Sequence, residues 1–228
     1  MNILLDLDET LIRKSEARDR AALEFFKHFS SILPLSQIEF LIQWQSLIER
    51  HFRRFTNGEI SFQEHRRERM RELFSAHETN LSTDELDSRF EVYLTHYEKN
   101  WTLFEDVLPF LNRARHCRLG IVTNGESKQQ RDKLRLTGIL NFFHAVIISS
   151  EVGSAKPEAK IFLEASRVLG VSPNDCIFIG DRIDLDIEGS RAIGMNAIWL
   201  NRSGSIGGNS SFRTVKSLHE IEIKNAEK

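Results

Sequence analysis

The stretch MNILLDLDETLIRK (residues 1–14) decides how the chain is read. A short apolar run, Ile3-Leu4-Leu5, leads directly into two carboxylates, Asp6 and Asp8, set two positions apart. Such a run predicts a buried strand. Carboxylates repel one another and are costly beside an apolar core. A pair of them where a strand ends therefore calls for chemistry rather than packing as its reason.

From about residue 104 onward, short apolar runs alternate with helical stretches. LGIVTN (119–124), AVIIS (145–149), CIFIGD (176–181) and AIWL (197–200) read as buried strands. Between them, DVLPFLNRARH (106–116), ESKQQRDKLRLTG ending at Gly138, PEAKIFLEASRVLG from Pro157 to Gly170, and DLDIEGSRAIG closing on Gly194 read as helices with glycine stops. This alternation predicts an α/β fold, a parallel sheet covered by helices, with ILLDLD as one more strand. RTVKSLHEIEI adds a last short element, SGSIGGNSS (203–211) is a loop, and the final residues fray.

Residues 14–103 read differently. They lack β-branched runs and carry long amphipathic stretches, SQIEFLIQWQSLIERHFRRF and SFQEHRRERMRELF. Ser61 with Glu64 and Ser82 with Glu85 fit capping boxes. The segment is expected to be an all-helical insert after the first strand, giving domains of 1–13 plus 104–228 and of 14–103. Phe25, Phe26, Phe29, Phe40, Trp44 and Phe52 are expected to pack its own core. Arg50, Arg53 and Arg54 share one helix face, as do Arg66 and Arg69. They read as a solvated face paired with Glu64, Glu68 and Glu72, or, for one of them, as a reach toward a substrate carboxylate or second phosphate. FTNGEIS (55–61) reads as a loop of this insert, with Gly58 at a tight turn.

Composition narrows the classes. Of 228 residues, 40% are hydrophobic and 28% charged, and the net charge is −2. That balance is ordinary for a globular protein and points to neither a nucleic-acid nor a membrane surface. Cys117 and Cys176 stand beside apolar segments outside any CxxC pattern, and read as reduced core thiols. No apolar run is long enough to span a membrane, and the N-terminus does not read as a signal peptide, so a cytoplasmic protein is expected. Oligomeric state has no signal in the sequence.

Chemistry in an open parallel sheet gathers at the carboxyl ends of its strands. Those ends deliver Asp6 and Asp8, then Thr123, Asn124 and Gly125, then Asp181 with Asp184 and Asp186. Lys156 in SAKPE precedes a proline-started helix. Several carboxylates in one place need a cation to stay ionised, and a hard, oxygen-liganded ion such as Mg²⁺ fits. Mg²⁺, a lysine and hydrogen-bond donors together suit a phosphoryl group, on which an aspartate can act as nucleophile.

These stretches resemble the haloacid dehalogenase superfamily in its phosphatase branch. The resemblance rests on DLDET (6–10), Thr123 in IVTNG, Lys156 in SAKPEAKIF, and Asp181 with Asp186 in GDRIDLDIEGS, in that order along the chain. It implies a Rossmann-like core with a helical C1-type cap closing over the site. It implies that Asp6 is the nucleophile and Asp8 the general acid and base. Mg²⁺ would be held by Asp6, the Asp8 carbonyl and Asp181, with Asp186 in support. Thr10, Thr123, Asn124 and Gly125 would serve the phosphate, and Lys156 would offset charge. The implied activity is Mg²⁺-dependent hydrolysis of a small-molecule phosphate ester. A phosphomutase sharing the aspartyl phosphate and a non-catalytic binding module are the alternatives, and Asp8 argues against a dehalogenase. Asp184 reads as a first-turn helix acid, and Arg182 departs from the family pattern with no assigned role.

Overall fold

A computed structural model of the chain describes residues 1–76, 78, 80–204 and 212–223. The expected glycine-serine loop, from residue 205 on, and the expected fraying from residue 224 lie outside the described residues. The chain divides into two compact units, Met1–Lys14 with Trp101–Lys228, and Ser15–Asn100.

The first unit is built on β1 (Asn2–Leu5), β2 (Arg118–Thr123), β3 (Ala145–Ile148), β4 (Cys176–Gly180), β5 (Asn196–Leu200) and β6 (Arg213–Val215). All five pairings are parallel, in the order β3-β2-β1-β4-β5-β6. β1 lies at the centre, flanked by β2 and β4, so Asp6 and Asp8 emerge between the strand ends that deliver Thr123 and Asp181. Ile3, Leu4 and Leu5 are fully buried, as expected of a strand covered on both faces. Phe162 packs edge-on against Phe178, 5.2 Å between ring centroids, within a cluster holding Leu4, Val122 and Ile161. Both cysteines are buried free thiols.

Three helices of the insert, α2 (Gln37–Thr56), α3 (Phe62–Phe74) and α4 (Thr83–Lys99), follow α1 (Lys14–Phe29). Ser36 and Ser82 close complete capping boxes with Glu39 and Glu85. The Ser61 box is one-sided. Its hydroxyl accepts from the Glu64 amide, but the Glu64 carboxylate turns to Arg71 and Arg67 instead of back to the cap. Phe25, Phe29, Phe40 and Trp44 form the aromatic core; Phe52 does not, being half exposed against Phe55. Gly58 has φ 75°, the left-handed turn a residue with a side chain resists.

The core helices are α5 (Val107–Arg113), α6 (Ser127–Leu136), the short α7 (Ser149–Val152), α8 (Ala159–Leu169) and α9 (Glu188–Arg191). The segment expected to be one helix from residue 184 instead begins as a π-helical turn, Ile183–Ile187, and continues as α9. Such wide turns recur at functional sites because they re-aim one side chain. Among the described residues no helix is long and apolar enough to cross a membrane.

Candidate active site

Beyond β1 the chain folds back on itself. The Leu11 and Ile12 amides both donate to the Leu7 carbonyl, at 2.9 and 3.0 Å, and Glu9 takes φ 60°. A non-glycine residue there is uncommon and is worth noting beside a site. The turn leaves the Asp6 and Asp8 side chains facing a cavity of about 150 Å³. Thr123, Asn124, Lys156, Asp181 and Asp186 line the same cavity. Thus residues from four separate stretches of sequence meet at the sheet's carboxyl edge.

Lys156 is the electrostatic hub. It is 5% exposed, and its ammonium donates to Asp6 and, at 2.7 Å, to Asp186. Burial alone would lower its pKa, but the Asp6 and Asp186 carboxylates hold it above the ordinary lysine range. Burial pushes Asp6 up to about 6, with Lys156 pulling against it. Asp186, 1% exposed, also accepts from the Arg182 amide at 3.0 Å. Its approach requires Gly180, since a Cβ there would overlap the Asp186 carboxylate.

Asp8 sits in a different field. Lys133 on α6 donates to one carboxylate oxygen at 2.5 Å, and Lys14 lies 3.2 Å from the other. Burial would raise Asp8, yet these two ammonium groups hold it well below the usual carboxylate range. Burial and the Lys14 charge in turn keep Lys133 below the ordinary lysine range, Asp8 notwithstanding. The paired carboxylates of DLDET are therefore electrostatically distinct.

Asp181 makes no ion pair among the described residues, and burial with the Asp6 and Asp186 charges pushes it up to about 8. Asp6, Asp181 and Asp186 each present an oxygen within 4.8 Å of the others. Three clustered carboxylates against the single Lys156 ammonium leave net negative charge, and an all-oxygen donor set suits a hard divalent cation. The residues present fit such an ion.

The other expected residues are placed less simply. Asn124 spends its side chain on Lys156, its Nδ2 donating to the Lys156 carbonyl (3.0 Å) and its Oδ1 accepting from the Lys156 amide (2.8 Å). It holds the Lys156 backbone from the cavity wall that it also lines. Thr10 and Gly125 do not line the cavity. The Thr10 hydroxyl turns to Asp181 at 3.4 Å, and the Gly125 amide donates to Ser149 at 3.0 Å. In this structure both groups brace the loops around the cavity. Arg202 anchors the Thr10 carbonyl (2.8 Å) while gripping Asp106 through two contacts of 2.9 Å. Arg182 and Asp184 pair with each other at 2.7 and 3.0 Å.

Two functional neighbours were missed in the sequence. Gln130 donates to Thr123 Oγ1 at 2.6 Å, and Lys133 holds Asp8. Both lie on α6 at i and i+3, sharing its buried face with Leu134. Polar residues on the stripe that should be apolar were the available signal. Glu9, Lys14, Arg182 and Leu185 also line the cavity without having been singled out for it.

Comparison with known proteins fits this geometry. Residues 1–194 match the model of haloacid dehalogenase-like hydrolases, and the chain belongs to that family. Over 101 residues it is 45% identical to a glyceraldehyde 3-phosphate phosphatase of Methanopyrus kandleri, covering 43% of each chain. Over 110 residues it is 36% identical to a rat N-acylneuraminate-9-phosphatase, covering 47% of this chain and 44% of that one. The chain thus spans under half the length of these curated relatives. The crystal structure of a HAD phosphatase from Thermococcus onnurineus superposes with a TM-score of 0.64 at 28% identity, covering 96% of this chain and 94% of that one.

Proposed function

We propose that the protein is a Mg²⁺-dependent phosphatase that hydrolyses a small-molecule phosphomonoester through an aspartyl phosphate on Asp6. The observation that carries this reading is the Lys156 ammonium bridging Asp6 and Asp186 beside the unpaired Asp181. The names of the relatives support the reaction class. Residues Ser15–Asn100 are assigned as the substrate-selecting insert.

In this reading Asp6 attacks phosphorus while the ester P–O bond breaks, and Asp8 gives its proton to the departing oxygen. Asp8 is held ionised by Lys133 and Lys14. A phosphate dianion arriving beside it raises its proton affinity, so substrate loads the acid. Asp8 then takes a proton from water, whose oxygen attacks phosphorus. The bond to Asp6 breaks and inorganic phosphate leaves. Thr123 accepts from Gln130 through its oxygen, which leaves its hydroxyl proton to donate to a phosphate oxygen. Lys156 keeps Asp6 ionised and aimed. Mg²⁺, held by Asp6, Asp181 and the Asp8 carbonyl, would neutralise phosphoryl charge.

The test is phosphate release from nucleoside monophosphates, sugar phosphates, phosphoglycolate and an aryl phosphate, with Mg²⁺ and with EDTA. Metal-dependent turnover concentrated in one class is expected. No release from any ester, with Mg²⁺ binding demonstrated by calorimetry, would move the assignment to a mutase or a binding module.

A further inference from the structure

The arginines of the helical unit fall into two kinds. Most are neutralised. Arg67 grips Asp87 through two contacts of 2.8 and 2.7 Å, and Arg71 pairs with Glu64 and Glu68. Arg50 pairs with Glu72, Arg89 with Glu78, and Arg54 lies 3.5 Å from Glu59. Arg69 is the exception. It is only 6% exposed, and among the described residues it has no carboxylate partner.

Its guanidinium is walled by rings instead, 5.5 Å from the Trp44 centroid, 4.8 Å from Phe90 and 6.0 Å from Tyr93. Ring faces attract a cation but leave its N–H groups without in-plane acceptors. The buried Arg69 Nε has no hydrogen-bond partner, nor has the Trp44 Nε1, on a residue only 2% exposed. His65 Nδ1, one turn before Arg69 on the same face, is also unpartnered. A water molecule could satisfy such donors, but it would not neutralise the buried charge. Arg66 stacks on the same Phe90 ring at 5.0 Å. Burial, with Arg66 adding to it, lowers Arg69 to about 10, and burial with Arg69 lowers His65 to about 3.

We propose that Arg69, together with the Trp44 indole N–H, forms an anion-binding site inside the helical unit, and that its ligand is a carboxylate. One unpaired guanidinium matches one negative charge. A planar fork between aromatic walls matches a planar carboxylate. Each donor is buried without a partner among the described residues, so an anion would supply an acceptor. The carboxylate is that of a small molecule held by the helical unit itself.

The test uses the full chain and nitrogen–proton NMR of the arginine Nε–H and tryptophan indole groups. The Arg69 peak is assigned as the one absent from Arg69→Met, and the Trp44 peak as the one absent from Trp44→Phe. Sodium glycolate should shift both peaks saturably, and sodium chloride at equal ionic strength should not. In Arg69→Met the Trp44 response should weaken at least ~10-fold, with Arg69→Lys intermediate because it keeps the charge without the fork. The proposal is overturned if glycolate does not shift the wild-type peaks, or if Arg69→Met responds as the wild type does. The NMR measurement needs no turnover, so it is read separately from the phosphatase assignment and from any folding defect of a variant.

Discussion

In the α/β unit the two most buried cations face carboxylates. Lys156 lies between Asp6 and Asp186, and Lys133 lies against Asp8. In the helical unit the most buried arginine faces Trp44, Phe90 and Tyr93. The two regions carry opposite surpluses. Around Lys156 there are more carboxylates than ammonium groups, with Asp181 left over. Around Arg69 there is a guanidinium with no carboxylate partner among the described residues. A buried charge without its partner is costly, so each imbalance marks what its region is expected to receive, a cation in one and an anion in the other. The regions also differ in construction. Parallel strands hold the first set in register, whereas the second depends on aromatic packing between helices.

The largest effect should come from removing the proposed nucleophile. Asp6→Asn is nearly isosteric and takes one negative charge out of a crowded, buried site. Turnover of the best ester with Mg²⁺ is expected to fall by about 10⁴-fold or more, roughly 5 kcal/mol of barrier. Melting temperature should hold or rise, because the remaining carboxylates repel less. Near-normal turnover would break the assignment of roles in the α/β site. Next in size is Phe25→Ala in the helical unit. Phe25 is fully buried against Phe29, Trp44 and Phe40, with centroids at 4.8, 5.3 and 6.2 Å. The cavity should cost about 3–5 kcal/mol. Amide hydrogen exchange should show protection lost in α1, α2 and α4 while β1, β2 and β4 keep theirs. Equal loss in both units would mean that they unfold as one.

Smaller again is Lys133→Met. Asp8 would keep Lys14, which is half exposed and 3.2 Å away, and the Gln130 amide at 3.5 Å. We expect kcat to fall about 10–100-fold with KM little changed, as for a group that holds a catalytic acid rather than binding substrate. A matching rise in KM with unchanged kcat would instead put Lys133 in substrate binding.

What could be read from sequence follows from these constructions. A strand pattern and a strand end are local features, so the sheet, Asp6, Asp8, Thr123, Lys156, Asp181 and Asp186 could all be found before any coordinates, and the structure brings them to one cavity. Thr10 and Gly125 show the limit. Motif position points to a ligand role, and only the coordinates show that the Thr10 hydroxyl meets Asp181 and the Gly125 amide meets Ser149. Gln130 and Lys133 were hidden because SKQQRDKLRL reads as a solvated helix, and only tertiary packing reveals which face is covered. In the helical unit the sequence shows many arginines beside many glutamates. Which arginine is left unpaired depends on contacts between helices, and periodicity carries no such information.

The smallest effect sharpens the comparison through pH. His65 is 6% exposed among Phe55, Phe62 and Phe52, and the charged groups bearing on it are Arg69 and Arg66, with His51 nearby. Burial, then Arg69, lowers it from the ordinary 6.5 to about 3. Its folded pKa lies below its unfolded one. Above pH 6.5 it is neutral in both states and contributes no pH dependence. As pH falls below 6.5 the unfolded chain binds a proton that the folded chain refuses, so stability declines until about pH 3. Between pH 7 and pH 5.5 the loss should be about 1 kcal/mol. Surface carboxylates also titrate over a wider range, so the measurement is a difference, urea unfolding of the wild type against His65→Phe at both pH values. The variant should lose about 1 kcal/mol less than the wild type on acidification, and only in the transition that reports the helical unit. An identical loss in both proteins would show that His65 takes up its proton in the folded state. The Phe62 carbonyl, which already favours the protonated ring, would then outweigh burial, and the excess of positive charge around Arg69 would be smaller than the geometry indicates.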